Sequence, residues 1–222
     1  MRRLLPRALV LLVVPALLVP LPAHGAGSVT LAAGPLVSAT NNDKLFQPPS
    51  PPNPPGYVPD PAARLGYALT IGYEREVLTW LAWSAGLGLE TRGENATLNH
   101  PNPSVPVVEI ALKLSYLQAP VHVIVRREFG PVTLGLFGGA TVGRVVQAER
   151  TRKVDGVAQP VVKAEINKTD LGIEAGATAE MKAGPGALFV RPGYHWGLLD
   201  FSREHSAKHR AGRILAGYAY RL

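Results

Sequence analysis

Asp170-Leu171-Gly172-Ile173-Glu174-Ala175-Gly176-Ala177-Thr178-Ala179-Glu180-Met181 decides the fold, because its residues sort strictly by parity. Odd positions carry Leu, Ile, Ala and Met; even ones carry Asp, Gly, Glu and Thr. Successive side chains of a strand point to opposite faces, so this stretch has one apolar face and one that is small or ionisable. The same sorting recurs on both sides of it. Every second residue of Leu65 to Tyr73, Leu81 to Leu89, Val132 to Val142, Leu188 to Leu198 and Ile214 to Leu222 is uncharged. The complementary positions hold glycines together with Glu74, Glu90, Asp170, Glu174, Glu180, Arg191, His195, Arg213 and Arg221.

Strands are expected at 28–38, 64–74, 79–91, 107–127, 131–145, 168–182, 187–198 and 212–222. Short connections at 75–78, 128–130 and 183–186 alternate with long ones at 39–63, 92–106, 146–167 and 199–211. That rhythm is what an all-β, eight-stranded antiparallel up-and-down transmembrane barrel requires, with both ends of the chain on the short-turn side. The apolar set would meet lipid and the glycine-rich set would fill the bore, which in a barrel of eight strands is only just wide enough for side chains. The inside-out alternative, a soluble lipocalin-like barrel, would show water a surface of glycine and alanine where charge is expected. Tyr73, Tyr218 and Tyr220 fall near one end of their strands and Tyr194 and Trp196 near the other, as interfacial aromatic girdles do.

The N-terminus agrees with this. Arg2, Arg3 and Arg7 precede an apolar run from Ala8 to Val19 and then Pro22-Ala23-His24-Gly25. A basic n-region, a short apolar core and a small-residue cleavage site read as a signal peptide, 1–25, ahead of a barrel domain, 26–222. The chain has no cysteine, so disulfides and a lipidated cysteine are excluded. Three of its 23 basic residues lie within 1–25 and all 16 acidic ones beyond, leaving 20 against 16 and a net charge of +4. That dispersed, mild charge gives no footprint for nucleic acid.

Two irregularities stand out. Pro120 falls inside the long fourth strand, where it cannot donate to a ladder and points to a bulge. The apolar parity also changes there, from Ile110, Leu112 and Leu114 to Leu117, Val121, Val123 and Val125. At about 21 residues this strand exceeds the roughly 9–11 needed to span a bilayer, so its first half is expected to rise above the membrane.

Tyr116-Leu117-Gln118-Ala119-Pro120-Val121, the Gly-rich Phe137 to Gly143, the acidic-start strand at Asp170 and Phe189 to Leu198 together resemble the PorT-like outer-membrane β-barrel domain family. The chain's last strand, 214–222, is similar to the terminal strand that the barrel assembly machinery reads, although it ends in Leu222 instead of phenylalanine. The resemblance implies a barrel in the cell outer membrane, with lipids and that machinery as partners; it implies no single activity.

Chemistry is sparse. Glu174, Arg191, His195 and Arg213 are expected in the bore, and pairing across the 183–186 turn would set Glu174 opposite His195. They read as an ion-pair network filling a closed barrel, since an unpaired buried charge is costly; the alternative is the lining of a small passive channel or transporter. Glu204, His205 and His209 have metal-ligand character but lie in an expected loop, and no metal or other cofactor is assigned. Ser202 with His205 is the nearest approach to a nucleophile beside a base, and the His-x-Ser-Asn signature of outer-membrane deacylases is absent, so no enzyme is expected. The prolines of 47–61 favour a stiff, extended surface loop, which offers a site for an extracellular partner.

Overall fold

The computed structural model describes residues 27–40, 58–164, 166–200 and 208–222. The expected signal segment, residues 47–57 of the Pro-rich loop, and Ser202, Glu204 and His205 lie outside them. The strands in chain order are β1 (Gly27–Thr40), β2 (Val58–Leu78), β3 (Leu81–Asn99), β4 (Val108–Phe129), β5 (Val132–Val154), the two-residue β6 (Val157–Ala158) and β7 (Val162–Lys163), β8 (Thr169–Ala183), β9 (Gly186–Gly197) and β10 (His209–Arg221). Each long strand pairs antiparallel with the next, β5 passing directly to β8, and β10 returns to pair with β1. The ring of eight is thereby closed, with no long strand left as an edge, which satisfies the main chain without help from outside.

Three tight turns, at 79–80, 130–131 and 184–185, gather at one end of the ring. Gly130 and Gly184 hold positive φ angles of 63° and 56° there, a conformation glycine adopts without steric cost. Gly27 lies at the same end, its carbonyl accepting from the Leu222 N–H at 2.9 Å. The long connections emerge at the other end.

The parity expectation holds around the wall. Leu136 is 68% exposed on the outside and Ile71, Leu87, Ile173 and Ile214 about half exposed, whereas Glu174 on the same strand as Ile173 is 2% exposed. The soluble inside-out arrangement is therefore not the one this chain adopts. From Leu188 to Leu198 the outward run covers about 33 Å of strand at ~3.3 Å per residue, and a tilt of about 35–45° reduces it to about 25 Å, the height of a lipid-facing belt. Tyr73 and Trp83 meet edge-on near the turn end with centroids 5.8 Å apart, and Tyr194 and Trp196 lie 4.5 Å apart toward the other end.

Three expectations need correction. The segments read as long loops are in large part strand: 58–63 pairs with 94–99, 95–98 with 108–111, and 108–115 with 147–154. These pairs build an extension beyond the belt with its own core of Ala96, Leu98, Val108 and Ile110, against which Val154 packs. Second, there is no bulge at Pro120. It sits opposite Thr141 in unbroken register, and the register shift lies at Ser115/Tyr116, where Val146 of β5 is the extra residue. The even residues of β4 face inward throughout, from Ile110 to Gln118, His122 and Ile124. What changes near Pro120 is the apolar face: Ile110, Leu112 and Leu114 point in and are buried, whereas Leu117, Val121, Val123 and Val125 point out and are exposed. Third, the bore is not lined by small and ionisable groups alone, because Ile124, Phe137, Phe189 and Leu215 are buried in it.

Candidate functional site

Inward-facing charges collect in two layers, and the alternation that places outward residues in the belt places these in the bore. The upper layer centres on Arg213 of β10. Its guanidinium contacts Glu90 of β3 and donates to Glu174 of β8 at 2.6 Å, so it reaches both across the ring and sideways within it. Arg92 donates to Glu90 at 2.9 and 3.0 Å and to Asp170 at 3.0 Å, joining β3 to β8 on the opposite wall. His122 of β4 meets Glu174 at 2.7 Å, and His195 of β9 lies 3.4 Å from Glu174 and 3.6 Å from Asp170. Gln118 sits between Glu90 and Arg92, and turning its amide so that the nitrogen faces the Glu90 carboxylate, at 3.2 Å, lets it donate there. Above them Tyr116 takes the Arg92 guanidinium on its face at 5.2 Å and the His209 ring edge-on at 5.7 Å.

The lower layer lies toward the tight turns. Glu74 of β2 accepts from Arg126 of β4 at 3.0 Å and from Arg191 of β9 at 3.1 Å. Glu76 meets Arg126 at 2.5 Å, and Glu180 stands 3.8 Å from Arg191 and 4.0 Å from Arg126. Phe137 separates the layers, its ring 5.0 Å from His122 on one side and 5.7 Å from the Arg191 guanidinium on the other. Glycine makes the room: a Cβ on Gly176 would stand 2.6 Å from the Phe137 ring, and one on Gly172 would stand 2.1 Å from the His195 ring.

Of the four residues singled out from sequence, the structure brings Glu174, His195 and Arg213 together, with Glu174 directly opposite His195 in the β8–β9 register. Arg191 is not with them; it belongs to the lower layer. Sequence reasoning missed Arg92, Gln118, His122, Arg126 and Phe137. Arg92 falls one residue past the expected end of its strand, and the apparent parity change at Pro120 hid the inward run 118, 122, 126. Following the even positions of β4 without interruption would have found Gln118, His122 and Arg126. His209, expected in a loop, is on β10 and 1% exposed in the bore. Among the described residues no group of three metal-ligating side chains is placed to hold a metal.

The arrangement can do one thing plainly, which is to obstruct. Glu90, Arg92, Glu174 and His195 are each at most 2% exposed, and their contacts run from wall to opposite wall. In the upper layer three carboxylates meet two guanidiniums and the imidazoles of His122, His195 and His209; in the lower, three carboxylates meet two guanidiniums. Near-balanced charge with short contacts is how such groups tolerate burial.

No family model and no curated protein matches the chain. Among solved structures it is similar to Ail, the attachment invasion locus protein of Yersinia pestis, at 15% identity over 89% of this chain and 99% of that one, with a TM-score of 0.42. Neisserial surface protein A is similar at 14% identity over 88% and 97%, with a TM-score of 0.45. The outer membrane protein OprG of Pseudomonas aeruginosa is similar at 10% identity over 90% and 97%, with a TM-score of 0.34.

Proposed function

We propose that the chain is an integral outer-membrane barrel with a plugged bore, serving a structural or adhesive role at the cell envelope and carrying no enzymatic activity. The observation that carries this is the division of faces. A continuous uncharged belt with about half-exposed Leu, Ile and Val would be an exposed apolar surface far beyond the few hundred Å² a water-soluble monomer tolerates, whereas lipid accepts it. Among the described residues no helix is long and apolar enough to cross a membrane, so strands are the elements available for it. The two wall-to-wall charge layers oppose steady passage of solute. The strand extension above the belt, with its own core of Ala96, Leu98, Val108 and Ile110, supports a role on the outer side. The proposal includes export by removal of 1–25, assembly through strand 214–222 and membership of the PorT-like family on the motifs given above.

Two measurements on the full chain test it. Urea washing of membranes should leave the protein in the pellet, and its gel migration should differ between unheated and boiled samples. In planar lipid bilayers it should carry no steady, salt-dependent current. Release by urea sinks the membrane assignment; a steady current sinks the plugged bore and leaves a passive channel.

A further inference from the structure

A cleft of about 1050 Å³ opens in the wall where β5 parts from β8. Its lower anchor is the Val145 N–H donating to the Lys168 carbonyl at 2.7 Å, just above the Arg144–Thr169 pair. Its upper anchor is β7, where Lys163 pairs with Glu149 and Val162 with Arg150. Between them lies Val146, the bulged residue, and an extra residue on one strand bends it away from its neighbour. The bulge thus makes the opening.

The cleft sits at the rim of the belt. Leu117, which lines it, is 43% exposed and pairs with Arg144, the first outward charge on β5 beyond the uncharged run Leu134 to Val142. Among the described residues Arg144, Lys163 and Lys168 line it with one acid, Glu149, which accepts from the Gln147 amide at 2.6 Å. Leu117 and Val146 give it an apolar side continuous with the belt. Three cations above a hydrocarbon-facing wall are complementary to an amphiphile that carries negative charge where its acyl chains begin.

We propose that this cleft binds a phosphorylated glycolipid of the surrounding leaflet, its phosphate held by Arg144, Lys163 and Lys168 and an acyl chain lying along Leu117. The inference rests on the membrane reading above. A free phosphate would leave the apolar side unused, which is why the lipid is the occupant chosen.

The test uses the purified full chain, folded in detergent micelles, with native mass spectrometry counting retained ligand. The probes are diphosphorylated lipid A, the same lipid after phosphatase treatment, and inorganic phosphate. The diphosphorylated lipid should bind about tenfold or more tightly than the dephosphorylated one, and the triple variant R144Q/K163Q/K168Q should remove that margin, as neutralising several cations at a lipid surface does. R75Q/R127Q, at the opposite rim, should leave it intact. Equal binding of the two lipids, an unaffected triple variant, or displacement by an equal concentration of inorganic phosphate would overturn the inference. Liposome insertion is scored on the same preparations. A wild-type chain that fails to insert brings down the membrane reading and this inference together, while normal insertion with an unaffected triple variant brings down this inference alone.

Discussion

Arg213→Met removes the side chain that ties the upper layer together. Wild-type Arg213 is 7% exposed and serves both Glu90 and Glu174. After the substitution Glu90 keeps Arg92 at 2.9 Å, but Glu174 faces only His122 and His195, and the layer is left with three carboxylates against one guanidinium. Breaking a buried pair by removing one partner costs about 3–5 kcal/mol, because the stranded charge has lost its compensation without regaining water. Removing Glu174 as well should recover most of that loss: R213M/E174L deletes one charge of each sign and restores the original balance, and an apolar replacement of a whole buried pair is often near neutral. E174L alone should fall between, since Arg213 retains Glu90. The assay is denaturant unfolding of the barrel in detergent, followed by the mobility difference between folded and unfolded protein and extrapolated linearly to water. An R213M loss below about 1 kcal/mol, or a double variant less stable than R213M, would refute the reasoning, because either outcome means that the charges do not hold one another.

Leu136→Arg, at an outward position of the belt, should cost about 2–4 kcal/mol in lipid, whereas Val157→Arg, similarly exposed at 63% but on β6 above the belt, should change stability by no more than about 0.5 kcal/mol; equal effects in the same unfolding assay would mean the two sites share a solvent. Gly176→Val should abolish the folded gel band, because a Cβ there stands 2.2 Å from the Pro192 carbonyl oxygen and 2.6 Å from Phe137, while Gly138→Val, whose Cβ meets nothing closer than 3.8 Å, should fold; a normal folded band for G176V would disprove the packing of Phe137 in the bore. Planar-bilayer recordings of R213M should remain silent as well, since Phe137 and the Glu74, Arg126 and Arg191 layer stay in place beneath it; a steady current from this variant would show that the upper layer alone closes the bore.

The sequence disclosed most where the surroundings imposed a rule. On the membrane reading proposed above, lipid on one side and a narrow bore on the other force a period of two, so the strand that carries Leu171, Ile173 and Ala175 outward and Glu174 inward could be read directly, and the tight turn at 183–186 fixed Glu174 opposite His195. In the strand extension the inner face mixes Ala96 and Leu98 with Arg92 and Glu94, so the pattern of 92–99 and 147–154 resembles loop or reversed parity. Arg92 was lost for that reason. The same inversion makes β4 look bulged at Pro120, where the register runs unbroken and only the apolar face changes. The real bulge, at Val146, lies in Arg144-Val145-Val146-Gln147, which contains neither glycine nor proline to announce it. Arg191 lies in the bore as expected but in the lower layer, apart from Glu174, His195 and Arg213, because parity reports which face a residue occupies and says nothing of its depth; depth follows from the register, which only pairing supplies. Phe137 and Phe189 could not be separated by hydrophobicity from lipid-facing neighbours, since a bore with glycines on its walls takes an aromatic ring as readily as the belt does.

The absence of native cysteine makes the division of faces open to direct measurement. Single cysteines placed in turn from Leu188 to Leu198, labelled with an environment-sensitive fluorophore in liposomes, report contact with lipid through quenching by brominated acyl chains. Quenching should be strong at 188, 190, 192, 194 and 196 and weak at 189, 191, 193 and 195, a two-residue period in phase with the exposed side chains of β9. A flat profile, or one with strong quenching at the inward positions, contradicts a barrel that turns its apolar side chains to the bilayer and its charges to the bore.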